Sequence, residues 1–538
     1  MGYKAGIMNK RLTDFRQLLQ DNQLQGALVR STDCYLNEYV PTEYSRRAYL
    51  TGFTGSAGDV LVSLDKAILF VDGRYSIQAK QETADFEVRV LPLGQSIESA
   101  WLTELETWKN LRIGVESDRI SVNLYRKLKD YHLAELPAFG PVTASSKTHE
   151  TWSVPEKITG ENTAQRLKRA ASFFSEHQLD AFLVVPLDEI AWLSNQRSSE
   201  FPFQAVFSAR ALAYLDHLDI ISGPIFIKKG TRVGLDPQLT PEAVRRELEQ
   251  AGAEIIFVKS PFQHMKSIKN PSELNHMRSA IARADRVVAR VQAWVCEQIE
   301  KKALVTEKLV DEKVRSEYEK SGVTGLSFKP ICGGGKNSAV IHHGTPEAKA
   351  SLKAGDLFLL DSGAYYEGGY ATDLTRTFLL GGPKQKATDQ QKKIFTAVLK
   401  GSIAGMTARF PQGTTGVQLD AIVRDAIWRI GYNYNHGTGH GVGVNVHEDP
   451  PRISPAGLSP IEAFQVFSIE PGIYIEGVGG VRIENLCTAI EDVQRPGFLK
   501  VVPLSFCPLD RRLIDEQQLT DAEKVFLKYY EKSFPVLL

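Results

Sequence analysis

A stretch near the N-terminus recurs at a fixed offset, and this repeat restricts the fold more than any other feature of the chain. Arg11-Leu12, followed by Asn22-Gln23-Leu24-Gln25-Gly26-Ala27-Leu28-Val29, returns as Arg166-Leu167, followed by His177-Gln178-Leu179-Asp180-Ala181-Phe182-Leu183-Val184, at an offset of 155 held across 19 residues. Each copy reads as an amphipathic helix that ends in a polar turn and leads into a buried apolar strand. The first half of the chain is therefore expected to hold two domains of similar build. With 538 residues, 43% of them apolar and 24% charged, the chain can bury several cores, and three domains are expected.

Thr148 to Pro155, polar and closed by a proline, reads as the first linker, and Lys259 to Pro271 holds the second. The expected domains are 1–155, 156–264 and 265–538, a mixed α+β and α/β architecture. Past the second linker, Ser272 to Lys301 reads as one long helix, with Ser272 as its cap, Glu273 in its first turn, and Met277, Ile281, Val288 and Val291 at helical spacing. From about Thr324 the pattern changes to short strands separated by glycine-rich turns.

Lys plus Arg and Asp plus Glu both total 64, so net charge gives no reason to expect nucleic acid or an anionic membrane as partner. The five cysteines, Cys34, Cys296, Cys332, Cys487 and Cys507, are widely spaced and odd in number, which argues against a disulfide framework and a zinc ribbon. Met1 to Leu12 lacks an apolar core of signal-peptide length, and Gly6 stands where a myristoylation motif needs Ser or Thr. No stretch approaches the ~20 apolar residues of a membrane span. A cytoplasmic location is expected.

The chemistry is concentrated in the last half. Asp361 ends the apolar run Leu357-Phe358-Leu359-Leu360, and Asp373 opens Asp373-Leu374-Thr375-Arg376-Thr377 after the turn Glu367-Gly368-Gly369. This spacing predicts a hairpin with a carboxylate on each strand. Alone, such a pair is ordinarily solvated or bonded to turns. Four glycines in His436-Gly437-Thr438-Gly439-His440-Gly441-Val442-Gly443 exclude a stable helix, so these histidines sit on a loop or strand edge with backbone close against a neighbour. Five of the eleven histidines, His342, His343, His436, His440 and His447, fall between 342 and 447, a concentration that favours a metal or proton-transfer site.

Glu470, in Ile469-Glu470-Pro471-Gly472, and Glu484, in Val481-Arg482-Ile483-Glu484-Asn485, complete the set. Strand alternation puts Val481 and Ile483 on one side and Arg482 and Glu484 on the other, directing charge into an apolar interior. The alternative is a structural ion pair of Arg482 with Glu484. Four carboxylates and one imidazole, however, supply about four negative charges, enough to neutralise two divalent cations and strongly repulsive without them. Oxygen-rich ligation without thiolate suits Mn, Co or Fe more than a structural zinc. Two such ions can hold a bridging hydroxide near neutral pH and polarise a carbonyl, which makes hydrolysis the expected reaction.

The ordered set Asp361-Ser362-Gly363, Thr372-Asp373-Leu374-Thr375-Arg376, His436 to Gly441, Ile469 to Gly472 and Arg482 to Asn485 resembles the pita-bread metallopeptidases, and among them the Xaa-Pro aminopeptidases. Arg46 to Gly58, Asp72-Gly73-Arg74-Tyr75 and Asp188 to Leu193 are similar to the long, three-domain members, in which two creatinase-like domains precede the catalytic one. The resemblance implies that Asp361, Asp373, His440, Glu470 and Glu484 are the metal ligands, with Asp373 and Glu484 bridging, and that the two ions are Mn2+, with Co2+, Fe2+ or Zn2+ as substitutes. It also implies that His342 lies beside the substrate, that His447 stabilises the tetrahedral intermediate, and that His436, Tyr474 and Arg482 line the site and its proline pocket. His343 stands where the family pattern usually has an aromatic residue and receives no role. The family commonly separates its two aspartates by eleven positions, whereas Asp361 and Asp373 differ by twelve. The extra residue is expected in the turn at Glu367 to Tyr370, where it flips neither strand.

The implied activity is removal of an N-terminal residue that precedes proline, with a hydroxide bridging two metals as nucleophile and Glu470 relaying a proton to the leaving imino nitrogen. His342, His447 and Glu470 are thus the expected catalytic residues. Peptides with proline in second position are the expected partners, and the long members are by resemblance homodimers. Rival readings are a prolidase restricted to dipeptides and a non-catalytic pita-bread binding protein.

Overall fold

The computed structural model describes residues 2–140 and 149–534, and in it the two copies of the repeat fold alike. The turn residues Gln23 and Gln178 both take positive φ, 56° and 53°. Leu24 N then donates to Leu19 O, as Leu179 N does to Phe174 O. A wholly buried strand follows each, Gly26–Val29 and Ala181–Val184. Gly26–Val29 pairs antiparallel with Asp59–Ser63 and parallel with Arg112–Val115. Ala181–Val184 does the same with Arg210–Ala213 and Arg232–Leu235. Even the close approach of the parallel neighbour recurs: a Cβ on Gly114 would lie 2.9 Å from Leu24 Cδ1, and one on Gly234 would lie 2.7 Å from Leu179 Cδ1.

Around these centres the first sheet has six strands, with Glu87–Val90 and His132–Glu135 at its edges, and the second has five, with Leu218–Ile221 and Glu254–Phe257 at its edges. The chain divides into two compact units. One comprises the described residues of Met1–Thr151, Glu161–Gln196 and Val206–Phe262 and holds both sheets; the other comprises Trp152–Gly160, Arg197–Ala205 and Gln263–Leu538. Of the polar segment read as the first linker, Thr148 lies outside the described residues and Thr151–Ser153 form a short strand. No described helix is long and apolar enough to cross a membrane.

The second unit opens with the long helix Pro271–Glu300. Its cap is Asn270 and not Ser272: Asn270 accepts from the N–H groups of Ser272 and Glu273, and the Glu273 carboxylate returns to Asn270 N at 2.9 Å. Proline tolerates the first helical position because it has no N–H to leave unpaired, so the capping residue falls before it. Val287, Val288 and Val291 of this helix share a core with Phe358 and Leu360 of the strand Leu357–Ser362 and with Leu374 and Phe378 of the strand Leu374–Leu379. By strand alternation, Asp361 and Thr375 face away from the helix.

A second core holds the helices Asp389–Met406 and Gly416–Trp428 against Phe467, Ile469, Val481 and Ile483. Here a six-stranded sheet runs in the order Arg409–Pro411, Phe498–Pro503, Asn485–Glu491, Val466–Ile469, Gly439–Gly441, Glu448–Ile453. The segment after Pro496 therefore supplies an internal strand. Its helix Asp521–Lys532 buries Tyr530, whose hydroxyl accepts from Asn485, the residue after Glu484.

Candidate metal centre

The register of the hairpin is unbroken from its base to its tip. Asp361 stands opposite Thr375 and Ser362 opposite Leu374, and Tyr365 with Ala371 continues the same pairing. Asp373 thus falls across from Gly363, and the hairpin closes through the loop 366–370, where Gly369 has φ of 62°. Asp361, Asp373 and Thr375 share one face.

Glu470 and Glu484 sit at a fork. Ile469 pairs with Asn485 and Gly472 with Arg482, but between these pairs each glutamate leaves the ladder. Glu470 N donates to Thr438 O at 2.8 Å, and Glu484 N donates to Thr375 O at 3.2 Å. One glutamate is thereby stitched to the His440 strand and the other to the Asp361 hairpin. Glycine makes the stitching possible, since a Cβ on Gly439 would lie 1.9 Å from Ser468 O.

The five predicted ligands converge. His440 Nε2 lies 3.5 Å from Asp373 Oδ2 and 3.6 Å from Glu470 Oε1. Asp373, His440 and Glu484 each bring a ligand atom within 4.8 Å of the others. His440 Nδ1 is 3.0 Å from Gly441 O; a carbonyl only accepts, so Nδ1 carries the hydrogen and Nε2 turns its lone pair to the carboxylates. Burial, and after it the carboxylates of Glu484, Asp361 and Glu470, pushes Asp373 well above the usual carboxylate range. Burial together with Glu470 and Asp361 does the same to Glu484, and burial raises Asp361 although Arg482 opposes it.

Arg482 is paired with Asp361, Nη2 to Oδ2 at 2.6 Å, and reaches Glu484 through Thr375, which accepts from Arg482 Nε at 3.1 Å and donates to Glu484 Oε2 at 2.7 Å. Asp361 Oδ1 is buried with no hydrogen-bond partner among the described residues. A buried carboxylate oxygen without a donor, beside three like-charged groups and one imidazole, is a donor set that fits two divalent cations.

The remaining predicted residues surround this group. His436 Nδ1 donates to Gly437 O at 2.7 Å, so its Nε2 accepts from the Tyr474 hydroxyl at 2.8 Å, which in turn accepts from Arg482 Nη1 at 2.8 Å. His447 meets His440 edge to face, ring centroids 4.3 Å apart. His342 is half-buried on a turn whose preceding carbonyl, Ile341 O, accepts from Arg482 Nη1 at 3.4 Å. His343, without a role from the sequence, donates to Glu307 Oε2 at 2.7 Å.

Two supports went unread in the sequence. Thr375 was within reach of strand alternation, standing two residues after Asp373. Glu448 was not: it follows His447, but its partners Lys266, at 2.7 Å, and Lys269 come from 182 and 179 residues earlier.

The chain is similar to known proteins over nearly its whole length. Residues 275–491 match the model of metallopeptidase family M24, and residues 11–144 and 143–227 match two models of the creatinase/prolidase N-terminal domain. The chain is 32% identical over 581 residues to the probable Xaa-Pro aminopeptidase P of Laccaria bicolor, covering 97% of this chain and 89% of that relative. It is 30% identical over 600 residues to that of Coprinopsis cinerea, covering 97% and 94%. Among solved structures it is similar to the X-prolyl aminopeptidase of Caenorhabditis elegans, described as a cytosolic enzyme with a di-nuclear active site, with a TM-score of 0.86, 25% identity, and coverage of 97% of this chain and 94% of that one.

Proposed function

The chain belongs to the Xaa-Pro aminopeptidase P family of the M24 metallopeptidases, and from that premise we propose that it is a metal-dependent aminopeptidase that cleaves the bond between an N-terminal residue and a following proline. The observation that carries the reading is the convergence of Asp361, Asp373, His440, Glu470 and Glu484, with one Asp361 oxygen buried and unbonded among the described residues. These five residues would hold two divalent ions, and manganese suits so oxygen-rich a set. When bound, the ions supply a water that ionises near neutral pH and a Lewis acid for the scissile carbonyl.

The chain's own groups do the rest. Glu470, with 18% of its side chain exposed against 7% for Asp373, is the carboxylate best placed to carry a proton to the leaving imino nitrogen. His447 donates a hydrogen bond to the developing oxyanion. The Arg482–Tyr474–His436 chain holds the wall that receives the proline ring, and His342 lies beside the substrate. Proline is a fitting second residue because its amide nitrogen carries no hydrogen and its ring asks for a shaped pocket.

The same reading divides the chain into domains 1–155, 156–264 and 265–538, supported by the two separate sheets and the three family matches. It makes the protein a cytoplasmic homodimer. Five free cysteines fit a reducing compartment, and sedimentation of the purified protein tests the dimer. The activity is tested by product analysis of Xaa-Pro-Yaa tripeptides and Xaa-Pro dipeptides with and without Mn2+. Manganese-dependent release of the first residue from the tripeptides is expected. Cleavage of dipeptides alone, or no cleavage by protein carrying two ions, would overturn the reading.

A further inference from the structure

Glu307 stands far from the metal ligands in sequence, yet its carboxylate organises the loop that carries His342. It sits in the first turn of the helix Glu307–Lys320 with 2% of its surface exposed. Its Oε1 accepts from Gly334 N at 2.8 Å and Asn337 Nδ2 at 2.9 Å, and its Oε2 accepts from His343 Nε2 at 2.7 Å and Glu347 N at 2.7 Å. Four donors at the two ends and in the middle of one loop therefore meet on a single buried group. Burial opposes its ionisation, but His343 and the backbone donors hold the carboxyl below the usual range.

That loop is joined to the metal centre on its other side. Ser338 Oγ accepts from Gly480 N at 2.8 Å, and Ile341 O accepts from Arg482 Nη1, the guanidinium that pairs with Asp361. His342 is thus suspended between two anchors, Arg482 before it and the Glu307–His343 bond after it. A charged hydrogen bond immediately beside a substrate-facing residue fixes the backbone that aims it.

We propose that Glu307 and His343 are positioning residues for substrate binding, acting through His342. The proposal rests on the Xaa-Pro aminopeptidase reading. Glu307→Gln would put an amide donor against a backbone N–H, that of Gly334 or of Glu347, and risks misfolding, so the decisive variants lie at His343, which keeps 13% of its side chain exposed. Manganese-loaded wild type, His343→Phe, His343→Gln, His342→Ala and the double variant His342→Ala/His343→Phe are compared on one Xaa-Pro-Yaa peptide, with metal content measured for each.

Phe fills the space of the imidazole without its N–H, and we expect kcat/KM to fall about tenfold, carried by KM, the scale set by one lost hydrogen bond to a charged partner. Gln returns an N–H and restores most of the activity. In the His342→Ala background the same change to Phe leaves kcat/KM within about twofold, because a residue that acts through another shows non-additive effects. Equal losses in both backgrounds, or no loss in either, overturns the proposal while wild-type turnover leaves the parent reading intact. A wild type that binds two ions and cleaves nothing defeats the parent reading and this proposal together.

Discussion

Two clusters of charge lie buried in the C-terminal unit, both reached from the segment 440–448, and they are balanced in opposite ways. Glu448, beside His447, is enclosed by Lys266 and Lys269, so one anion faces two cations supplied by the protein. Asp361, Asp373, Glu470 and Glu484 lie together, with Arg482 as the guanidinium that pairs with Asp361. Both clusters are desolvated. Burial resists ionisation of Glu448, but its lysines hold it below the usual range, whereas Asp373 and Glu484 are pushed up by burial and then further by one another's neighbours. Burial alone therefore does not mark a metal site. What marks it is a deficit of counter-charge that the fold itself does not make good.

The largest effect that could break this contrast is at Glu484. Glu484→Gln should lower bound metal from two ions per chain and reduce kcat/KM by more than the roughly 10–100-fold that follows loss of an outer partner of a metal ligand. Metal analysis with peptide turnover checks it, and full retention of both would remove the ligand assignment. Glu448→Gln should act on stability instead, because it leaves two buried ammonium groups without their anion, a change on the order of 3–5 kcal/mol. Urea unfolding would show that loss, while the folded fraction still binds two ions.

Metal removal separates the clusters by the sign of their pH dependence. A carboxyl whose folded pKa lies above its unfolded one keeps a proton in the native state after the unfolded chain has released it. The contribution of Asp373 and Glu484 to stability is therefore present below the ordinary carboxylate value near 4 and lost as pH rises through their raised folded values. Glu448, held low, contributes above that ordinary value and is lost only as pH falls through its folded one. Chelator-treated protein should thus melt at a lower temperature at pH 8 than at pH 5, just above the ordinary carboxylate value, and Mn2+ should cancel the difference, since ions that bind only the folded state stabilise it by mass action. An equal melting temperature at both pH values in the chelated protein would contradict the deficit.

The paired sheets and the clustering of carboxylates with His440 were legible because they are local patterns. The 155-residue offset maps Gly26–Val29 onto Ala181–Val184, and even the positive φ of Gln23 recurs at Gln178. Asp361, Asp373 and Glu484 could be given a direction because alternation along a strand is fixed by backbone geometry. Counter-charge is different. That Arg482 serves Asp361 while Glu484 turns to Thr375, and that Lys266 and Lys269 enclose Glu448, depends on which strands and helices meet, and no period in the sequence carries it. The same holds for Glu307, which reads as an ordinary first-turn acid beside its cap Thr306. The helix cap at Asn270 was missed for a simpler reason: Ser272 is as good a capping residue in isolation, and the proline between them decides.

The smallest expected effect probes how the deficit is distributed. Thr375 links its two sides, accepting from Arg482 Nε and donating to Glu484 Oε2 with one hydroxyl. Thr375→Val keeps the shape and β-branching of the side chain but leaves the guanidinium N–H without that acceptor and the carboxylate without that donor. Loss of such an outer partner should weaken metal affinity by roughly 10-fold, toward the lower end of the range for these contacts, because Arg482 still holds Asp361. Thr375→Ser, which returns the hydroxyl, should recover it. Calorimetric titration with Mn2+ reads the two binding steps separately. Weakening confined to one step would place the hydroxyl's influence on a single ion, whereas equal weakening of both would show that Glu484 transmits it to each.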